Sequence, residues 1–146
     1  MSVLSSLRIS ASGLTAQNLR MSVIANNIAN IDTTRTPDGT PYRRQFAVFA
    51  PVSAEKDTGQ AKRGDNLHQG GGVAVVAIVE DALPPRLVYD PGHPDADAEG
   101  YVALPNIDPV REMVDMISAT RAYEACVTAI NAAKTMAMRA LDIGRV

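Results

Sequence analysis

SVIANNIANIDTTRTPDGTPYRRQ, Ser22 to Gln45, is the stretch in which the chain changes character. As far as Ile31 its residues recur with helical spacing. Beyond that, Pro37, Gly39 and Pro41 stop any helix. The helical part carries three asparagines, Asn26, Asn27 and Asn30, and almost no charge. Asparagine is a poor helix-interior residue, because its short amide competes for nearby backbone groups. The question is what those amides bond to.

Upstream of this stretch, Leu4, Leu7, Ala11, Leu14, Asn18, Met21, Ala25 and Ile28 step by three and four, which is a heptad seam with a polar position at Asn18. About 28 residues of helix would be near 42 Å long. Between Met1 and Ile31 the only charged side chains are Arg8 and Arg20. A solvated helix usually carries many Lys and Glu, so a weakly polar one suggests neighbours on several sides.

Downstream, the punctuation is concentrated. All nine prolines lie between Pro37 and Pro109, and eight of the ten glycines between Gly39 and Gly100. The chain therefore reads as a helix over 1–31, a turn-rich unit over 32–108 and a second helix over 109–146. Asp108 is placed to cap the second helix and Pro109 to open it. Met113, Met116, Thr120, Tyr123, Val127, Ile130, Lys134, Ala137 and Leu141 again step by three and four, with Ile117 beside them and Lys134 as a flaw. Arg111, Glu112, Asp115, Arg121 and Glu124 fall mostly off this stripe. The two seams can pair with each other. On the stripes alone, the core of a small helical protein is the simpler reading; the weakly charged N-terminal faces and the long proline-rich insert stand against it.

The insert holds three strand candidates: QFAVFAPV (Gln45–Val52), GVAVVAIVED (Gly72–Asp81) and PRLVYDPG, which ends in a turn at Asp90, Pro91 and Gly92. SAEKDTGQAKRGDNLHQGGG between the first two reads as an exposed loop. The expected fold is α+β: long terminal helices packed as an antiparallel, coiled-coil-like pair, with a small β-rich or irregular middle unit.

Composition limits what such a chain can do. Its 146 residues suit one ordinary domain. A net charge of -2 offers no footprint for nucleic acid or an anionic membrane. Cys126 is the only cysteine, which excludes an internal disulfide framework. No apolar run approaches the roughly 20 residues of a membrane span. The opening, MSVLSSLRISASGL, lacks the pattern of a cleavable signal peptide. With no tryptophan, two Phe and four Tyr, a single globule would have few large anchors. The expectation is a soluble chain.

Candidate chemistry is sparse. Asp95, Asp97, Glu99 and Gly100 in DADAEG match the opening of an EF-hand loop, but the twelfth position is Asn106 rather than Glu, and Pro91, Pro94 and Pro105 forbid the flanking helices. His68 and His93 sit in separate loops without a second ligand at metal spacing. Gly70 to Gly72 precedes a strand, not the helix that a phosphate cradle requires. Arg43 and Arg44 are too few for a nucleic-acid surface, and Cys126 falls within a helix as a packed thiol. No catalytic constellation, cofactor site or small-molecule site emerges.

Three motifs spanning essentially the whole chain resemble the flagellar axial proteins, and among them the proximal rod subunits of the bacterial basal body. The first is ANNIANIDT followed by GTPYRRQFAVF, with Asn26, Asn27, Asn30, Tyr42, Arg43 and Arg44. The second and most specific is YDPGHPDADAEGYVALPNID, Tyr89–Asp108, with Asp90, Pro91, His93, Pro94, Asp95, Asp97, Gly100, Tyr101, Pro105 and Asn106. The third is EMVDMISATRAYEACVTAINAAKTMAMRALDIGR, with Arg121, Tyr123 and Glu124. The family usually reads RAYEAN, whereas Cys126 takes the last place here, so no hydrogen bond carries over to that position.

The resemblance implies a structural, non-enzymatic subunit. The terminal helices would pack as an inner tubular layer around an export channel, with subunit contacts through Leu4, Leu7, Leu14, Met21 and Ile28 of one helix and Met113, Ile117, Tyr123, Val127 and Ile130 of the other. The amides of Asn26, Asn27 and Asn30 would cap backbone or satisfy groups across subunits. Implied partners are copies of itself and other rod proteins in a helical assembly, the flagellar type III export apparatus, and adjacent basal-body rings. The implied place is the rod, in the periplasmic space, where it transmits torque from motor to hook. A reading of another class is a small calcium- or peptide-binding module built on Asp95, Asp97 and Glu99.

Overall fold

Two long helices at the ends of the chain frame two small antiparallel sheets. The computed structural model describes residues 3–53 and 70–144, so the loop predicted between the first two strands falls largely outside the described residues. In chain order the elements are α1 (Val3–Ala29), β1 (Gln45–Ser53), β2 (Gly70–Glu80), β3 (Arg86–Tyr89), β4 (Tyr101–Leu104) and α2 (Pro109–Ile143). The architecture is the expected α+β one. β4 is an element that the sequence reading left in a loop.

The weakly charged helix α1, roughly 40 Å long, satisfies several of its hydroxyls internally. Thr15 Oγ1 donates to the carbonyl of Ala11 at 3.2 Å and Ser22 Oγ to that of Asn18 at 3.1 Å. In α2, Thr120, Thr128 and Thr135 do the same one turn back. Hydroxyls satisfied on the preceding turn need no water, which lets a polar-looking helix sit among neighbours. α1 ends through Asn30, whose Nδ2 donates to the carbonyl of Asn26 at 2.9 Å while its Oδ1 accepts from Thr33 Oγ1 at 3.1 Å. α2 starts as predicted: Asp108 Oδ1 accepts from the Val110 N–H at 2.9 Å, and Pro109 takes the first helical position.

The helices run antiparallel, with Asn27 level with Glu112, Arg20 with Asp115 and Gly13 with Cys126. Their contact is made by small side chains: Ala16, Ala119 and Ala133 are buried. A Cβ built on Gly13 would stand 2.9 Å from Cys126 Sγ, so the glycine permits the close approach. Along α2 the inward stripe runs through Glu112, Met116, Ala119, Tyr123, Cys126, Ile130, Ala133 and Ala137, all buried or half-buried. It shares Met116, Tyr123, Ile130 and Ala137 with the predicted seam. At the alternate places it uses Ala119 and Ala133 instead of Thr120 and Lys134, which removes the Lys134 flaw. Toward the end of α2, Met136, Met138 and Leu141 are exposed.

β1 and β2 form a two-stranded ribbon pairing Gln45 with Glu80 and Pro51 with Val73, with register shifts after Val48 and after Pro51. The ribbon is fastened to α1 at two places. Ser12 Oγ accepts from the Val73 N–H at 3.0 Å while donating to the Ile9 carbonyl at 2.7 Å. Asn27 holds Gln45 at the other end. Ser12 and Asn27 lie about 22 Å apart along the helix, and Gln45 and Pro51 about 20 Å apart along the strand, so the spacings match. Val73 directs its N–H away from β1, so its partner Pro51 occupies a pair that asks for no ladder donor.

β3 and β4 pair Arg86 with Leu104 through to Tyr89 with Tyr101. The Tyr89 and Tyr101 rings meet edge to face, centroids 5.3 Å apart. Below β4, Val102, Pro105 and Ile107 are buried.

Candidate functional site at the junction of the helices

At the end of the pair where α1 finishes and α2 begins, the chain buries polar groups rather than apolar ones. Asn27 and Glu112 are both 0% exposed. All four hydrogen-bonding positions of the Asn27 amide are used. Nδ2 donates to the Gln45 carbonyl at 2.8 Å and to Glu112 Oε2 at 3.0 Å. Oδ1 accepts from the Gln45 N–H at 2.9 Å and from the Tyr42 hydroxyl at 3.1 Å. Burial of such an amide is tolerable only because it is fully paired.

Glu112 Oε1 accepts from Arg44 Nε at 2.6 Å. Arg44 also reaches Asp115 Oδ2 at 3.4 Å, and Arg20 of α1 reaches Asp115 Oδ1 at 3.4 Å. The cluster thus joins α1, α2 and the segment entering β1. Burial, then the nearby Glu80 and Glu112 carboxylates, push the Tyr42 phenol above its ordinary pKa, since both disfavour a phenolate there.

The loop between β3 and β4 has its own wiring. Asp90 Oδ1 accepts from the Gly92 N–H, and His93 Nδ1 from the Asp95 N–H. Asp97 Oδ1 accepts from the N–H groups of Glu99 and Tyr101 at 2.9 and 2.8 Å, shaping the turn into β4. Asp95 points elsewhere: Thr34 Oγ1 donates to it at 2.8 Å and Arg35 stands at 3.9 Å, tying the loop to the segment after α1. Gly100 holds φ +84° and is buried; a Cβ there would come 2.9 Å from the Tyr89 ring. Among the described residues no group of three or more His, Cys, Asp and Glu is gathered to hold a metal ion.

The residues singled out in the sequence therefore divide. Asn27, Tyr42 and Arg44 meet in one cluster, whereas Asn26 and Arg43 are exposed and Asn30 serves the end of its own helix. Asp90, Pro91, His93, Pro94, Asp95, Asp97 and Gly100 lie in the loop and Tyr101 opens β4, while Pro105 is fully buried and Asn106 exposed. Tyr123 is half-buried between the helices, while Arg121 and Glu124 lie outside. Of the packing residues, Leu7, Leu14, Met21, Ile28, Val127 and Ile130 are half-buried. Leu4, Met113 and Ile117 are 77%, 58% and 54% exposed in the single chain. Cys126 and Gly13 border a shallow, open apolar groove between α1, β2 and α2, also lined by Ile9, Val73 and Ala129.

The reading of the sequence missed Glu112 and Asp115 as members of the site, because charges beside a stripe look like a solvated face. The signal for them was the scarcity of charge on α1, which leaves Arg20 conspicuous opposite α2.

Comparison with known proteins bears on this arrangement directly. Residues 7–35 match the family described as flagella basal body rod protein, and residues 98–143 match the C-terminal family of flagellar basal body rod FlgEFG proteins. Over 98% of both chains, the protein is 51% identical to the flagellar basal-body rod protein FlgC of Borreliella burgdorferi. It is 47% identical to FlgC of Bacillus subtilis and 42% to FlgC of Salmonella typhimurium, each over 99% of this chain and the whole of the relative. None of these matches supports the calcium- or peptide-binding alternative. The buried polar cluster, the β3–β4 loop and the terminal helices all lie within this full-length similarity, and the chain belongs to the FlgC family of flagellar basal-body rod proteins.

Proposed function

We propose that this chain is a structural subunit of the flagellar basal-body rod, without enzymatic activity, placed in the proximal part of the rod in the periplasmic space. The observation that carries this reading is the full-length similarity to FlgC rod proteins, matched by long helices at both chain ends. The outer face of α2 supplies a surface for neighbours: Val110, Met113, Val114 and Ile117 recur at i, i+3, i+4 and i+7 and are all more than half exposed. Together with Leu4 they are the residues that subunit contacts would cover, and Leu7, Leu14, Met21, Ile28, Tyr123, Val127 and Ile130, half-buried in the single chain, would be covered further. An axial assembly needs heterologous interfaces, with different patches meeting head to tail. Partners in this reading are other copies, the other rod proteins, the adjacent rings and the type III export apparatus. The segments 1–31 and 109–146, which carry α1 and α2, would build the layer around the export channel, and the middle unit 32–108 would face outward from it. The rod would carry torque from motor to hook.

Cells lacking the gene and complemented with a labelled copy test this. The expected result is loss of swimming in the deletion, its return on complementation, and label in the proximal rod of imaged basal bodies. Complete rods without the chain, or label elsewhere, would overturn it.

A further inference from the structure

We infer that the segment Tyr42–Gln45 is an obligatory clasp: the helix pair closes at its Asn27–Glu112 end only when this segment is seated, so these three pieces fold as one unit rather than as a helical pair with a separate insert. The geometry makes the dependence specific. Three of the four bonds of the buried Asn27 amide go to this segment, to the Gln45 N–H and carbonyl and to the Tyr42 hydroxyl. Among the described residues, the ion pair of the buried Glu112 is with Arg44 alone. Lift the segment away, and α1 and α2 would face each other across an amide holding one bond and a carboxylate with no cation. Breaking a buried pair by removing one member is strongly unfavourable, whereas replacing both by apolar groups of similar size is often neutral or better. On α2 the buried apolar residues among those described are the small Ala119 and Ala133, so the apolar contacts there have little surplus to absorb such a loss. Met116, Ala119 and the residues toward Cys126 meet α1 without help from this segment, which limits the dependence to the first turns of α2.

Amide hydrogen exchange on the full chain tests the inference with two variants, Arg44→Met and Arg44→Met/Glu112→Met. In Arg44→Met the amides of 110–120 and of 23–28 should lose protection by about a hundredfold or more, together with those of 42–47. In the double variant protection over 110–120 should recover to about tenfold or more above the single variant, stopping short of the parent because Glu112→Met takes an acceptor from the Asn27 amide. A single variant that is unfolded beside a folded double variant gives the same answer. The inference is overturned if Arg44→Met speeds exchange only in 42–47, because the segment is then a tether and α2 closes without it. It is equally overturned if the double variant is no better protected than the single one, because the loss would then reflect packing rather than an unpaired carboxylate.

Discussion

The side-chain amide of Asn27 faces the backbone of Gln45 as a neighbouring strand would, donating to its carbonyl at 2.8 Å and accepting from its N–H at 2.9 Å. A helix residue thereby takes the outer edge of β1 at the point where the ribbon begins. Asn27→Ala should cost about 2–4 kcal/mol, since it strands two backbone groups of β1, the Tyr42 hydroxyl and an acceptor oxygen of Glu112. Urea titration of the purified chain measures this, and a loss below about 1 kcal/mol would show that water replaces the amide.

The raised pKa of Tyr42 sets an alkaline limit on the fold. A phenol whose folded pKa lies above its unfolded value of about 10 contributes stability that is complete below that value and is lost as pH rises through the folded one. Melting temperatures above pH 10 should therefore fall faster for the parent than for Tyr42→Phe. Parallel curves for the two proteins would contradict the assignment.

Exposed and buried positions of α2 should separate stability from assembly. Ile117→Asp alters a side chain 54% exposed in the single chain and should change its stability by no more than about 0.5 kcal/mol. Under the rod reading it should still abolish swimming. Ala119→Leu, at a fully buried contact, should destabilise the purified chain by about 1–3 kcal/mol. Wild-type swimming by the Ile117→Asp strain would remove that face from the list of subunit contacts.

Gly13 and Cys126 should be coupled. A helical Gly→Ala change ordinarily gains about 1 kcal/mol, but here the new methyl would meet Cys126 Sγ at 2.9 Å. Gly13→Ala should gain little or lose stability in the parent, and should gain about 1 kcal/mol in a Cys126→Ala background. Equal effects in both backgrounds would mean that the helices part freely at this point.

These positions show how far the fold could be read from the chain. Breaker-free ends, the Asp108–Pro109 helix start and the strands around Phe46 and Val75 were legible, because each rests on local chemistry. The contact face of α2 was legible only at Met116, Tyr123, Ile130 and Ala137, because periodicity follows large apolar residues. Here those residues (Met113, Ile117, Leu141) point outward, while Ala119, Cys126 and Ala133 make the close contact. β4 was missed because YVAL is four residues long and gains its strand character from pairing with β3 across the loop. Within the site, Asn27 stood out as an oddity in a helix. What it binds could not be read, since Gln45 and Glu112 reach it only through the tertiary fold.

The two fastenings of the β1–β2 ribbon have a mechanical consequence. A ribbon held to a helix at one point could swing about it like a door on a single pin. Here Ser12 grips the outer edge of β2, and Asn27 grips the outer edge of β1 about 22 Å away along the helix. Two anchors spaced along α1 stop the ribbon turning in the plane that holds them both, so a load in that plane reaches α1 at two points instead of one.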